Sequence, residues 1–256
     1  MGVSVVQFDA AGCRPATHTS QNPDASYQEI IDQAENSAVP AKAIALLEPA
    51  MARAKTAQDH VAIGALSLSL GAQQAKNGDL KSAMKTVTDS FNGYREIKDW
   101  ADLAIGFMEL AGYEVRNTEG VRLLDAQHSY RMAAEEFAKA GYYEESAFAR
   151  MRMGQMWQRK GRFLQAIEAY SQVIFGDDLK KKGATRPNGY GRGETHGLAA
   201  AAAASAYAAL GNFSFANYLL DTSSLLTGPG GTPWKWAAAK NECAAIQLQR
   251  SPQMCG

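Results

Sequence analysis

From Leu80 to Tyr94 apolar residues fall at Leu80, Ala83, Met84, Val87, Phe91 and Tyr94, a helical spacing that puts all six on one face. The same spacing returns along the chain. Helical patterns carry Tyr27, Ile30, Ile31 and Ala34, then Ala43, Leu46 and Leu47. Further stretches carry Val61, Leu66, Leu70, Gly71 and Ala75, then Leu103, Phe107 and Leu110, then Leu124, Tyr130, Ala133 and Phe137. The segment from Tyr142 to Lys160 and the one holding Phe163, Ala166, Ile167, Tyr170, Val173 and Ile174 follow without a gap. After a break come an alanine-rich helix ending near Leu210 and one through Phe213, Ala216, Leu220 and Ser223. Trp234 to about Gln249 is expected as a last helix that caps the array.

What separates these stretches repeats as well. Gly141 and Gly161 are each followed two residues later by an aromatic, Tyr143 and Phe163, and three further on by a small residue, Ser146 and Ala166. Gly78 (Leu80, Ala83) and Gly211 (Phe213, Ala216) repeat the frame. Turns near 78, 98, 119, 141 and 161 put about 20 residues in each helix and about 40 in each hairpin. A supersecondary unit repeated in this way predicts an all-α, right-handed α-solenoid of antiparallel helix hairpins with about ten or eleven helices.

Capping chemistry sharpens the boundaries. Ser26 and Glu29 have the spacing of a capping box, which predicts a helix starting there. Pro40 suits a first helical turn. Pro49 lies inside a helical pattern, where a missing donor should kink or split the helix. Asp79 and Asp99 are expected caps. A long helix is expected from about Thr56 to Asn77.

The chain divides on this reading into an extended tail (1–24), a repeat array (25–175), a basic glycine-rich loop (176–193), and a C-terminal hairpin with a capping helix (194–256). The loop holds five glycines and Pro187, which end helical order. Lys180, Lys181, Lys182, Arg186 and Arg192 fall in its acid-free stretch from Leu179 to Gly193, so it is read as a connector or as a contact for an acidic protein or anionic lipid.

The 26 basic and 26 acidic residues cancel, which removes any global field for nucleic acid, and no specific nucleic-acid contact is expected. No apolar run is long enough to span a bilayer. Residues Met1 to Phe8 lack the basic region of a signal peptide. Cys13, Cys243 and Cys255 form no paired motif, so the expectation is the cytoplasm or another reducing compartment, with a peripheral membrane position as an alternative. No metal, cofactor or catalytic residue is expected. His18, His60, His128 and His196 stand singly, and Glu144 with Glu145 is explained by the positive end of a helix. Trp157, Tyr142 and Tyr143 are read as hairpin packing. Stacked hairpins leave a concave face lined by their first helices, and Gln74, Arg150, Gln155 and Gln158 are the expected partner-binding positions there.

The residues Met153, Gly154, Trp157, Gly161, Phe163, Ala166 and Tyr170 resemble a tetratricopeptide repeat. Leu70, Gly71, Gly78, Leu80 and Ala83 repeat that frame, as do Ala204, Tyr207, Gly211, Phe213 and Ala216. The longer helices and the order of elements are similar to the soluble NSF attachment proteins (SNAPs). The broader resemblance implies a non-enzymatic interaction scaffold or adaptor subunit of a multiprotein assembly. The narrower one implies a vesicle-fusion adaptor peripheral to a membrane.

Overall fold

The computed structural model describes residues 24–117, 123–175 and 192–227. Ten helices occur among them: α1 (Ala25–Glu35), α2 (Pro40–Ala57), α3 (His60–Lys76), α4 (Leu80–Glu96), α5 (Trp100–Arg116), α6 (Leu123–Lys139), α7 (Tyr143–Arg159), α8 (Phe163–Phe175), α9 (Arg192–Ala209) and α10 (Phe213–Thr227). No strand occurs among the described residues. The chain divides into two compact units, the division falling between Ala140 and Gly141.

The joints show why the hairpins form. Gln58, Gly78, Lys98, Gly161 and Gly211 all have positive φ, between 53° and 90°. The following residue (Asp59, Asp79, Asp99, Arg162, Asn212) sends its N–H back to a carbonyl five residues earlier at 2.9 or 3.0 Å. This closes each helix in a left-handed turn that satisfies its last carbonyls. Asp59, Asp79 and Asp99 then accept the N–H of Ala62, Ser82 and Asp102, each at 3.0 Å, and so start the next helix. Asn212 does the same for Phe215 at 3.2 Å. One residue thus ends a helix while the next caps its successor, and antiparallel neighbours are the consequence.

Several boundaries differ from expectation. The first helix starts at Ala25, with Asp24 as its cap accepting from the Ser26 N–H, so Ser26 is not the capping residue. The long helix expected from Thr56 begins at His60 because Gln58 occupies the left-handed position without being glycine. Pro49 does not split α2: it sits on the exposed side, where the carbonyl it leaves unpaired can meet water. Leu46 is 43% exposed and Leu124 is 72% exposed, so neither belongs to the core pattern that suggested it. Asp99→Ala is expected to cost about 1 kcal/mol in urea denaturation, whereas Ser26→Ala should stay within about 0.5 kcal/mol.

In the first unit α1 to α3 share a core of Ile31, Ala34, Leu47, Met51, Leu66 and Leu70. The ring of Phe91 on α4 meets Phe107 on α5 at 4.2 Å between centroids. Lys139 on α6 lies over the Trp100 ring, 5.7 Å from its centroid. Glycines sit where aromatic rings cross: Gly64 faces Tyr94 and Gly106 faces Phe91. The second unit repeats this device with Gly154 beneath Tyr170. There α9 is gripped from several sides, since it packs on α7, α8 and α10. Its buried alanines (199, 200, 201, 203, 204, 206 and 208) allow that close approach.

The tail (1–23), the basic loop beyond Phe175 and the expected last helix lie outside the described residues, as do all three cysteines and His18.

Candidate interaction face

The first helices of successive hairpins touch one another within each unit: α1 meets α3, α3 meets α5, and α7 meets α9. Successive second helices make no comparable approach. The first helices therefore form an inner layer in each unit, and the candidate face is the part of that layer left uncovered.

In each of four first helices a set of partly or fully exposed positions shares one side. In α3 they are Ala65, Ala72 and Lys76; in α5 they are Glu109, Gly112 and Arg116. In α7 they are Phe148, Arg152, Gln155 and Arg159, and in α9 they are Leu198, Ala202 and Ala209. Their spacing of three, four or seven residues is that of one helical stripe. A side chain added at Gly112 would meet nothing within 4 Å, which confirms open space at that stripe.

Of the four groove residues expected from sequence, Gln155 lies on this stripe. Its Oε1 accepts from Arg152 Nη1 at 3.3 Å, so the two side chains form one polar patch. The others fall elsewhere. Gln74 holds the place that Trp157 and Tyr207 hold in the second unit; it is half-buried, and its Oε1 is buried with no hydrogen-bond partner. Gln158 accepts from Tyr170 Oη at 2.8 Å and donates to Ser205 Oγ at 3.2 Å. It thereby forms a bracket joining α7, α8 and α9. Arg150 is half-buried on the packing side of α7, at the place Ser67 and Ala200 fill in α3 and α9. Lys180, Lys181, Lys182 and Arg186 lie outside the described residues, and Arg192 opens α9 with its side chain outside them.

Phe148, Arg152 and Arg159 escape a reading by sequence because nothing in their identity sets them apart. The signal that finds them is distance from Gly161, taken together with burial of the neighbours on either side. Trp157 is buried as expected of hairpin packing. His128 is exposed, with Nδ1 3.1 Å from Arg131 Nη2, and His60 is exposed at the start of α3, while His196 is buried in α9.

Two carboxylates behave against the simple expectation. Glu145 sits in the first turn of α7, where the helix terminus should favour its charge. Burial wins, pushing its pKa up to about 7, and the neighbouring charge of Glu144 adds to the rise. Burial likewise raises Glu114 on α5 to about 7; the Asp125 charge adds to the shift and a hydrogen bond to Ser129 opposes it. A folded pKa above the unfolded one means that the folded chain holds protons the unfolded chain has lost between about pH 4.5 and 7. That contribution to stability is present below this window and lost as pH rises through it. Glu114→Gln is therefore expected to raise Tm near pH 8 by about 2–4 °C, on the order of 1 kcal/mol after allowance for partial solvent contact, and to change it little near pH 5. Thermal melts at the two pH values check this.

Among the described residues no group of three or more His, Cys, Asp or Glu is placed to hold a metal ion, and no helix is long and apolar enough to cross a membrane.

No protein-family model matches the chain, and no curated protein sequence matches it. Solved structures do. One is a candidate kinesin light chain from Podosopora anserina with nearly identical TPR-like repeats. It has 16% identity and a TM-score of 0.56, over 88% of this chain and 95% of that one. A single-substitution variant of the same protein gives 16% identity and 0.55, over 89% and 96%. BtubC (BKLC) from P. vanneervenii gives 17% identity and a TM-score of 0.40, over 88% and 93%. The first two likenesses establish the fold class, an all-α solenoid of antiparallel, tetratricopeptide-like helix hairpins. The similarity to attachment proteins is not among these findings and rests on the order of sequence elements alone.

Proposed function

We propose that the chain is a non-enzymatic protein–protein interaction scaffold, and that a partner segment lies along the uncovered stripe of the first helices of the second unit, α7 and α9. The observation that supports this reading is a side of each first helix that keeps partly exposed positions at helical spacing, with Phe148, Arg152, Gln155 and Arg159 as its most chemically varied part. A preformed helical face of this kind binds an extended or helical segment with little reorganisation. An aromatic residue on the same stripe as two arginines suits a segment that carries both apolar and acidic side chains.

Affinity capture from the native source, followed by mass spectrometry, would supply the partner. Binding would then be measured for stripe and bracket variants. Arg152→Glu with Gln155→Ala is expected to weaken binding by about tenfold or more, equivalent to about 1.4 kcal/mol, with Tm unchanged. Gln158→Ala should instead lower Tm, because it strips the Tyr170 and Ser205 hydroxyls of their shared partner. Partner binding indifferent to the stripe variants would end this reading.

A further inference from the structure

Two Asn-Gly pairs lie among the described residues, Asn77-Gly78 and Asn92-Gly93. A glycine after asparagine has no side chain to shield its backbone nitrogen, so that nitrogen can attack the asparagine amide carbon. The fold treats the two pairs oppositely. Asn77 follows the last residue of α3, and both it and Gly78 are exposed. A Cβ at Gly78 would meet nothing within 4 Å, so a ring closing there has room. The Gly78 N–H is held by one bond, to the Ala75 carbonyl at 3.2 Å, in a turn that Asn77 and Asp79 close with bonds of 2.9 Å. Opening that one turn at a helix end releases it. Asn92 is exposed as well, but Gly93 lies within α4, where its N–H belongs to the helical ladder. Gly93 is buried, and a Cβ on it would stand 3.1 Å from the His60 carbonyl oxygen of α3. Ring closure at Asn92 therefore requires α4 to unwind and draw away from α3.

We infer that Asn77 is a site of spontaneous deamidation, at which the α3–α4 joint changes covalently with age while Asn92 is spared. The Gly78 nitrogen gives its proton to water or hydroxide and bonds to Cγ of Asn77. The Cγ–Nδ2 bond breaks, and the amide nitrogen takes up a proton and leaves as ammonia. Water then opens the cyclic imide. Attack at Cγ gives an aspartate; attack at the backbone carbonyl carbon gives an isoaspartate, whose main chain runs through the side-chain carbons. Either product puts a carboxylate at the carboxyl end of α3, two residues before Asp79, where the helix terminus disfavours it. Isoaspartate also adds a main-chain atom ahead of Gly78, which takes the Gly78 and Asp79 N–H groups out of register with the carbonyls of Ala75 and Gln74. The cap that Asp79 supplies to the Ser82 N–H at 3.0 Å depends on that register. The inference is independent of the scaffold reading, because the chemistry needs only water and no partner.

The test ages the full chain in mildly alkaline buffer and follows each asparagine by peptide mass mapping. Asn77 is expected to convert at least about tenfold faster than Asn92 in the native chain, and the two rates should converge to within about threefold in concentrated urea. Isoaspartate, detected with a protein isoaspartyl methyltransferase, is expected at Asn77 alongside aspartate. Equal native rates at the two sites would overturn the inference. So would a difference that persists in urea, since neighbouring residues rather than the fold would then set it. Aspartate formed without isoaspartate would overturn the imide route and with it the role given to Gly78.

Discussion

Gly154→Val should destabilise the second unit by about 3 kcal/mol, and Gly154→Ala by about 1–3 kcal/mol, in urea denaturation followed by circular dichroism. A Cβ on Gly154 would fall 2.7 Å from Cδ1 of Tyr170 and 2.9 Å from its Cζ. The ring has no room to retreat, because Tyr170 is fully buried and its hydroxyl is anchored on Gln158. The ordinary helical benefit of replacing glycine by alanine, about 1 kcal/mol, offsets only part of the clash. Valine adds two methyl groups and a stiff side chain to the same contact. Gly112 supplies the opposite case. A Cβ there meets nothing within 4 Å, so Gly112→Ala should be neutral or stabilising by about 1 kcal/mol. The two glycines are both helical, so a difference in sign isolates the packing effect from propensity.

The second large effect is expected at Phe137. Its ring is fully buried on α6 in the first unit. Phe137→Ala removes that ring and leaves a cavity that α6, packed along α5, can close only in part, which should cost about 3–5 kcal/mol. Leu124 belongs to the same apolar pattern in the sequence but is 72% exposed. Leu124→Ala should therefore stay within about 0.5 kcal/mol. Thermal melts of the two variants separate core from surface along one helix.

The sequence carried the hairpins well, because glycine at a left-handed turn is a chemical necessity that leaves a mark. Gly78, Gly141, Gly161 and Gly211 all have φ between 70° and 90°. Asp79 and Asp99 were legible for the same reason: an aspartate in front of a helical pattern has a local role as a cap. The joint at Gln58 was not legible, since glutamine there bears a backbone strain that its identity does not announce. Nor was the α1 cap, where Asp24 and Ser26 are both suitable and only the backbone chooses between them.

The candidate face was harder to read. Periodicity tells which side of a helix is apolar, but a first helix in these units packs on two to four neighbours and is buried over much of its circumference. Polar residues then occur inside the packing, as Gln74 and Gln158 do, and small ones occur on the open stripe, as Ala72 and Gly112 do. Glu114 and Glu145 teach the same lesson through their titration, because burial outweighs the local terms that a sequence displays.

Thiol labelling tests the recurring open stripe most directly. In a background without native cysteines, single cysteines at Ala72, Gly112 and Gln155 are predicted to react within about tenfold of an unfolded thiol. Cysteines at the buried positions Ala75, Ala111 and Ala149 should react at least about a hundredfold more slowly, as local opening requires. Equal reactivity across the six positions, or faster labelling of the second set, would contradict the account.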